Sequence, residues 1–71
     1  MISKTDVRYF LSKYGEAMRA KRKNAMLTQV EASACIGCSQ AIISHIECGL
    51  MLPPKEIEDA LIVVYDELAM C

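Results

Sequence analysis

The chain has 71 residues, of which 54% are hydrophobic and 24% are charged, and its formal net charge is −1. This composition is typical of one packed domain and excludes a disordered chain. No apolar run approaches the roughly 20 residues of a membrane span, and the first ten residues lack the basic-then-apolar order of a signal peptide. We therefore expect a cytoplasmic protein.

The small net charge conceals a separation of charge along the chain. Residues 1–30 contain seven Lys and Arg side chains against two carboxylates, whereas residues 31–71 contain one lysine against seven carboxylates. A basic half can present a surface that binds a polyanion, because the local field matters more at close range than the net charge. A solvated helix face with ordinary lysines explains such a cluster equally well.

Apolar residues recur at the spacing of one helical stripe between Asp6 and about Ala25. The stripe consists of Val7, Phe10, Leu11, Tyr14 and Met18. Gly15 interrupts it, and a glycine inside a helix costs about 1 kcal/mol relative to alanine. We therefore expect two helices with a break near Gly15.

A capping box predicts the start of the next helix. The Thr28 hydroxyl can accept from the amide of Glu31, while the glutamate reaches back to the amide of Thr28. The helix would begin at Gln29 and end near Cys35, because Gly37 favours the left-handed conformation that ends a helix.

A second short helix is predicted from Gln40 to Cys48, with Ser39 as its natural N-cap and Gly49 as its terminator. Its apolar stripe consists of Ile42, Ile43 and Ile46. Small and polar residues occupy the opposite side: Gln40, Ala41, Ser44 and His45.

The last predicted helix runs from Lys55 to about Leu68, after two prolines that suit a helix start. Its apolar face is wider than one core contact requires, which indicates a second buried surface. Because a 71-residue chain is small for a self-sufficient core, we predict a homodimer interface there. The predicted interface residues are Leu50, Met51, Leu52, Leu61, Val64, Tyr65 and Leu68. They could alternatively fill a small core.

A helix, a tight glycine-containing turn and a second helix form the helix-turn-helix unit. Residues 15–49 resemble the Cro and phage-repressor type of helix-turn-helix protein, the XRE family. The matching segments are GEAMRAKRK, LTQVE, Gly37 and SQAIISHIECG. The resemblance implies that residues 1–71 form a single all-α domain, a lambda-repressor-like bundle of four to five helices.

The resemblance also implies roles for individual residues. The base-reading positions are Ser39, Gln40, Ala41, Ser44 and His45. Gln29 matches a glutamine that binds a DNA phosphate, and Arg22 and Glu47 match an ion pair that joins two helices. The family usually has glycine at Met26, a large aliphatic residue at Ala32 and asparagine at Cys48. In the family, the loop after the second helix is often basic and contacts phosphates. The corresponding loop here, GLMLPP, has no basic residue. We therefore expect the phosphate contacts to come from Thr28, Gln29, Arg19, Lys21 and Lys23.

The cysteines allow other interpretations. The spacing C-x2-C-x6-H-x2-C of Cys35, Cys38, His45 and Cys48 contains four possible zinc ligands, but the helix-turn-helix register would place His45 away from the first pair. The CxxC could be a redox pair, although the βαβ pattern of a thioredoxin-like fold is missing. A disulfide framework that includes Cys71 would need an oxidising compartment. We expect reduced thiols and no metal or cofactor.

Together with these patterns, the resemblance implies a sequence-specific DNA-binding transcriptional regulator, specifically a repressor that binds a palindromic operator as a homodimer. No nucleophile or orienting carboxylate accompanies His45, so we do not expect an enzyme. The expected partners are double-stranded DNA and a second copy of the chain, without a membrane or small-molecule ligand. Two alternatives remain: a restriction-modification controller protein, and an antitoxin or other interaction module that uses the apolar C-terminal helix.

Overall fold

The computed structural model describes residues 4–69, with side chains described for residues 6–69. These residues form four helices: α1 (Lys4–Asn24), α2 (Gln29–Ile36), α3 (Gln40–Glu47) and α4 (Lys55–Ala69). The described range contains no strand, so the prediction of an all-α fold is confirmed. Helices α2, α3 and α4 begin at the predicted residues and end within one residue of the predicted positions.

Helix α1 is continuous, so the predicted break near Gly15 is wrong. Glycine is needed at position 15 for a different reason: the backbone of α1 approaches the backbone of α3 closely there. A Cβ atom at this position would lie 2.5 Å from the carbonyl oxygen of Ile46 and 2.7 Å from that of Glu47. Glycine therefore allows α1 to lie directly against the C-terminal end of α3.

Helices α1, α2 and α3 end in the same way, with a residue in the left-handed conformation. These residues are Met26 (φ 62°), Gly37 (φ 74°) and Gly49 (φ 76°). In each case the amide of the following residue donates to the carbonyl five positions earlier, which closes the helix end. The three bonds join Leu27 to Arg22 at 3.2 Å, Cys38 to Ser33 at 3.1 Å and Leu50 to His45 at 2.9 Å. The predicted terminators Gly37 and Gly49 are thus confirmed.

The hydrophobic core lies where α1 and α2 each pack against both α3 and α4. Its buried side chains are Met18, Ala25, Ala32, Ile43, Ile46, Leu61 and Tyr65. Leu61 and Tyr65 were predicted at a dimer interface, but each is only 1% exposed within the single chain. Their assignment to a surface between two chains is wrong, because these i and i+4 positions face inward. Among the other predicted interface residues, Leu50, Leu52 and Leu68 are exposed, whereas Met51 and Val64 pack against the core.

The apolar stripe of α1 continues beyond this core. Val7 and Phe10 are exposed, although their spacing relative to Met18 matches one helix face. Gly49 lies against the backbone of Ser12, where an added Cβ would be 3.1 Å from Cα. Tyr14, one turn closer to the core than Phe10, donates a hydrogen bond to Glu58 of α4. The packed body therefore begins near Ser12, and the first two turns of α1 extend beyond it.

None of the described helices is both long and apolar enough to cross a lipid bilayer.

Candidate nucleic-acid interface

The start of α2 is fixed by the predicted capping box. The amide of Glu31 donates to the Thr28 hydroxyl at 3.1 Å, and the amide of Thr28 donates to the Glu31 carboxylate at 2.9 Å. The backbone amide of Thr28, and after it the Thr28 side chain, stabilise the Glu31 carboxylate by hydrogen bonding and lower the pKa of Glu31. The hydroxyl of Thr28, predicted to contact a phosphate, is thus already used within the helix cap.

A three-residue turn, Gly37 to Ser39, connects α2 to α3. Ser39 has the extended backbone of an N-cap residue, with φ −82° and ψ 151°, but its side chain makes no cap hydrogen bond. The prediction that Ser39 is the N-cap residue of α3 is therefore confirmed, although its hydroxyl does not take part in the cap. Ser39 is exposed, so this hydroxyl is accessible at the start of α3.

Helix α3 has one buried and one open side. Ile43 and Ile46 are each 1% exposed, and Ile42 packs against the core from its edge. On the opposite side, Gln40, Ala41 and His45 are exposed and Ser44 is half-buried. The structure therefore brings the predicted base-reading residues onto one accessible face that the core does not use.

A hydrogen-bonded network centred on Glu47 holds this face in place. The Glu47 carboxylate accepts from Nε of Arg22 at 2.7 Å and from the second guanidinium nitrogen at 3.0 Å. The predicted ion pair is thus present, with side chains that are 10% and 4% exposed. The hydrogen bonds to Glu47 raise the pKa of Arg22, so the guanidinium stays charged. A third guanidinium nitrogen donates to the carbonyl of Leu27 at 2.7 Å.

The same carboxylate extends the network to two glutamines. Nε2 of Gln29 donates to Glu47 at 3.2 Å, and Nε2 of Gln40 donates to Oε1 of Gln29 at 3.4 Å. The buried ion pair thereby orients one amide at the start of α2 and another at the start of α3. Sequence reasoning placed both glutamines at a nucleic-acid surface but missed the link between them. Their positions at the first residues of adjacent helices were the available signal.

The basic residues predicted beside this face fall into two groups. Arg19 and Lys23 lie one helical turn apart on α1, are exposed, and have no ion-pair partner among the described residues. Lys21 lies on a different side of α1, where its amino group is 3.5 Å from Asp66 of α4. The charge of Lys21 is thus partly balanced by α4, whereas Arg19 and Lys23 present theirs to solvent.

The cysteine-histidine set does not assemble. Within residues 6–69, no three His, Cys, Asp or Glu side chains come together in a geometry that could hold a metal ion. Cys35 and Cys48 are exposed free thiols, and Cys38 is half-buried. Burial raises the pKa of the Cys38 thiol, which disfavours the nucleophilic thiolate. Cys71 lies outside the described residues.

The candidate interface therefore consists of the open face of α3, the start of α2 and the exposed cations of α1. Comparison of the chain with protein-family models, with curated proteins and with solved structures found no match.

Proposed function

We propose that this protein is a sequence-specific DNA-binding transcriptional regulator, a repressor that binds a palindromic operator as a homodimer. The proposal rests on the difference between the two faces of α3. Its inner isoleucines are packed in the core, while its outer side chains are accessible and free of any structural task in that core. A helix that displays such a face has the dimensions that the major groove of B-DNA admits, about 12 Å in width.

The side chains on this face have the hydrogen-bonding capacity that base reading requires. A glutamine amide such as that of Gln40 can pair with both N6 and N7 of adenine. The methyl group of Ala41 can pack against the methyl group of thymine, and the hydroxyls of Ser39 and Ser44 can donate or accept. A ring N–H of His45 can donate to N7 or O6 of guanine. Because Gln29 holds the Gln40 amide, that amide is partly oriented before DNA binds.

Backbone phosphates would be held by groups at the edge of this face. The amide of Gln29 has a second N–H beyond the one given to Glu47, and it lies at the N-terminus of α2, where the helix dipole favours an anion. Arg19 and Lys23 add two exposed positive charges. These contacts are few, so we expect modest affinity from one chain, and a dimer on a symmetric site would multiply it.

Dimerisation would use apolar surface that the core leaves exposed. Leu50, Leu52 and Leu68 belong to this surface. Two copies would place their α3 helices in successive major grooves, about 34–36 Å apart, and would block access of polymerase to the promoter. A restriction-modification controller protein would use the same contacts at a different promoter.

An antitoxin or other interaction module is a second candidate function. It is favoured by the same exposed leucines together with Val63 of α4, because exposed apolar patches mark surfaces that bind proteins. A stable complex with a different protein on copurification would support this candidate. A dimer that binds DNA without any second protein would support the repressor.

The test begins with selection of duplexes bound by the full chain from a random pool. Fluorescence anisotropy then compares the selected duplex with a scrambled one for the wild type and for the double variant Gln40→Ala/His45→Ala. Each base contact contributes about 1–3 kcal/mol, so the variant should lose about tenfold or more of its preference and keep its helical circular dichroism. Glu56→Ala, an exposed change on α4, is the control and should retain full preference. If no sequence is enriched, or if the double variant discriminates as the wild type does, the proposal is wrong.

A further inference from the structure

A continuous series of hydrogen bonds leads from the buried ion pair to the open face of α3. Arg22 donates to both carboxylate oxygens of Glu47, at 2.7 Å and 3.0 Å. Nε2 of Gln29 donates to Oε1 of the same carboxylate at 3.2 Å, and Nε2 of Gln40 donates to Oε1 of Gln29 at 3.4 Å. The Glu47 side chain is 4% exposed, Gln29 is half-buried and Gln40 is exposed. The series therefore connects a charge inside the molecule to a side chain on its surface.

The charge of Glu47 determines the direction of every later hydrogen bond in the series. An ionised carboxylate has only acceptors, so Gln29 can bond Glu47 only through its NH2 group. The carbonyl oxygen of Gln29 then lies on the other side of the amide, and a carbonyl oxygen can only accept. Gln40 can consequently bond Gln29 only through its own NH2 group, as it does.

Gln40 keeps one N–H group and its carbonyl oxygen free for a ligand. In the major groove, adenine presents one acceptor, N7, and one donor, the N6 amino group. Guanine presents two acceptors, N7 and O6. The free groups of Gln40 thus match adenine, whereas opposite guanine its carbonyl oxygen would face a second acceptor. An amide with both N–H groups free could turn to donate both of them to guanine.

We propose that the buried Arg22–Glu47 pair, acting through Gln29, makes Gln40 select adenine over guanine. This inference rests on the proposed function, in which Gln40 reads a base, and it names the base and the source of the preference. Glu47 is a positioning residue here, because it touches no base. Since the ion pair is buried, the donor pattern of Gln40 is set before DNA arrives, which lowers the entropy lost on binding.

Fluorescence anisotropy with the full chain tests the inference. The base pair that Gln40 contacts is first located as the position of the selected duplex at which Gln40→Ala changes the base preference. Duplexes with adenine or guanine at that position are then compared, and the ratio of their dissociation constants is measured. Loss of a phosphate contact or of stability weakens binding to both duplexes alike and leaves this ratio unchanged. The wild type should prefer adenine by about tenfold or more.

Two substitutions at Gln29 test the direction of the hydrogen bonds without removing the ion pair. Methionine is unbranched like glutamine but offers Gln40 only a weak acceptor. Gln29→Met should therefore lower the adenine preference about threefold to tenfold, the contribution of one hydrogen bond. Gln29→Glu offers Gln40 only acceptors, as the wild-type carbonyl does, and should keep the preference within about twofold of the wild type.

Glu47→Gln tests the origin of the direction. A neutral amide at this position can turn either its oxygen or its NH2 group towards Gln29, so the orientation of Gln29 is no longer fixed. The adenine preference should again fall about threefold to tenfold. Glu31→Gln is the control, because it also removes one negative charge while a glutamine can maintain the capping box. It should keep the wild-type preference.

Circular dichroism identifies the folded variants, and if Glu47→Gln does not fold, the comparison of Gln29→Met with Gln29→Glu decides alone. An unchanged preference in Gln29→Met would overturn the inference, as would equal losses in Gln29→Met and Gln29→Glu. An unchanged preference in folded Glu47→Gln would also overturn it. A wild type that prefers guanine at the Gln40 position would contradict the inference while base reading by α3 stands. If no sequence is enriched at all, the proposed function fails and the inference fails with it.

Discussion

Arg22 and Glu47 are joined by two charge-assisted hydrogen bonds that connect the C-terminal part of α1 to the last residue of α3. Removing one member of a buried pair leaves the other charge without compensation. Glu47→Ala should therefore lower the free energy of unfolding by about 3–5 kcal/mol, measured by urea denaturation. Lys55→Ala, which removes an exposed 3.0 Å pair with Asp59, is the control and should cost less than about 1 kcal/mol. Equal losses would contradict a structural role for the buried pair.

Gly15→Ala separates helix propensity from packing. Alanine is better than glycine inside a helix by about 1 kcal/mol, so propensity alone predicts a gain in stability. The structure predicts a loss of about 1–3 kcal/mol instead, because the new methyl group would meet the Ile46 carbonyl oxygen. Ala20→Gly, at an exposed position of the same helix, should show the ordinary glycine penalty. A more stable Gly15→Ala variant in thermal unfolding would exclude the close approach of α1 to α3.

Met26→Gly should stabilise the protein. Met26 has a φ of 62° and is 86% exposed, so its side chain contributes little packing while its Cβ crowds the left-handed backbone. Relief of that crowding is expected to raise the free energy of unfolding by about 1 kcal/mol. Met26→Ala keeps the Cβ and should show no comparable gain. A shift of the urea midpoint that is the same for both variants would indicate that exposed methionine, rather than backbone conformation, matters here.

The salt dependence of DNA binding tests the proposed phosphate contacts. Each phosphate neutralised contributes about 0.9 to the slope of log K against log salt concentration. Replacing Arg19 and Lys23 with glutamine should reduce the slope by about 2, with similar losses on selected and scrambled duplexes. Lys55→Gln, on α4, is the control and should leave the slope unchanged. An unchanged slope in the double variant would remove these two residues from the interface.

Alkaline unfolding should report the burial of Tyr65. Burial disfavours the phenolate and raises the pKa of Tyr65 from 10.0 to about 12. Its contribution to stability is complete below pH 10 and is lost as the pH rises towards 12, because only the unfolded chain ionises in that window. The slope from this group reaches about 1.4 kcal/mol per pH unit. Tyr65→Phe should have a shallower decline over the same range, and equal slopes would contradict the assignment.

Helix ends were predictable from sequence because their determinants are local. The capping box at Thr28 and the glycine at Gly37 act through residues within one turn, so pattern alone located them. The break assigned to Gly15 was wrong because the reason for that glycine lies 31 residues away, at Ile46. The periodicity of apolar residues locates the apolar face of a helix but does not show what that face packs against. It therefore could not tell that Tyr65 points into the core while Phe10 stays exposed.

The contact between Gly15 and the end of α3 has a consequence for how this protein could change over time. The position of α3 against α1 is determined by backbone atoms and not by the side chains of its outer face. The Arg22–Glu47 ion pair holds the C-terminal end of α3 in that position. The side chains of Gln40, Ala41, Ser44 and His45 lie outside the hydrophobic core, and only Gln40 reaches the Glu47 network, through one long hydrogen bond to Gln29. Under the proposed function, new operator sequences could be acquired by substitution at these four positions while the fold tolerates each step. Substitutions that change which DNA sequence is preferred would then have little effect on the stability of the fold.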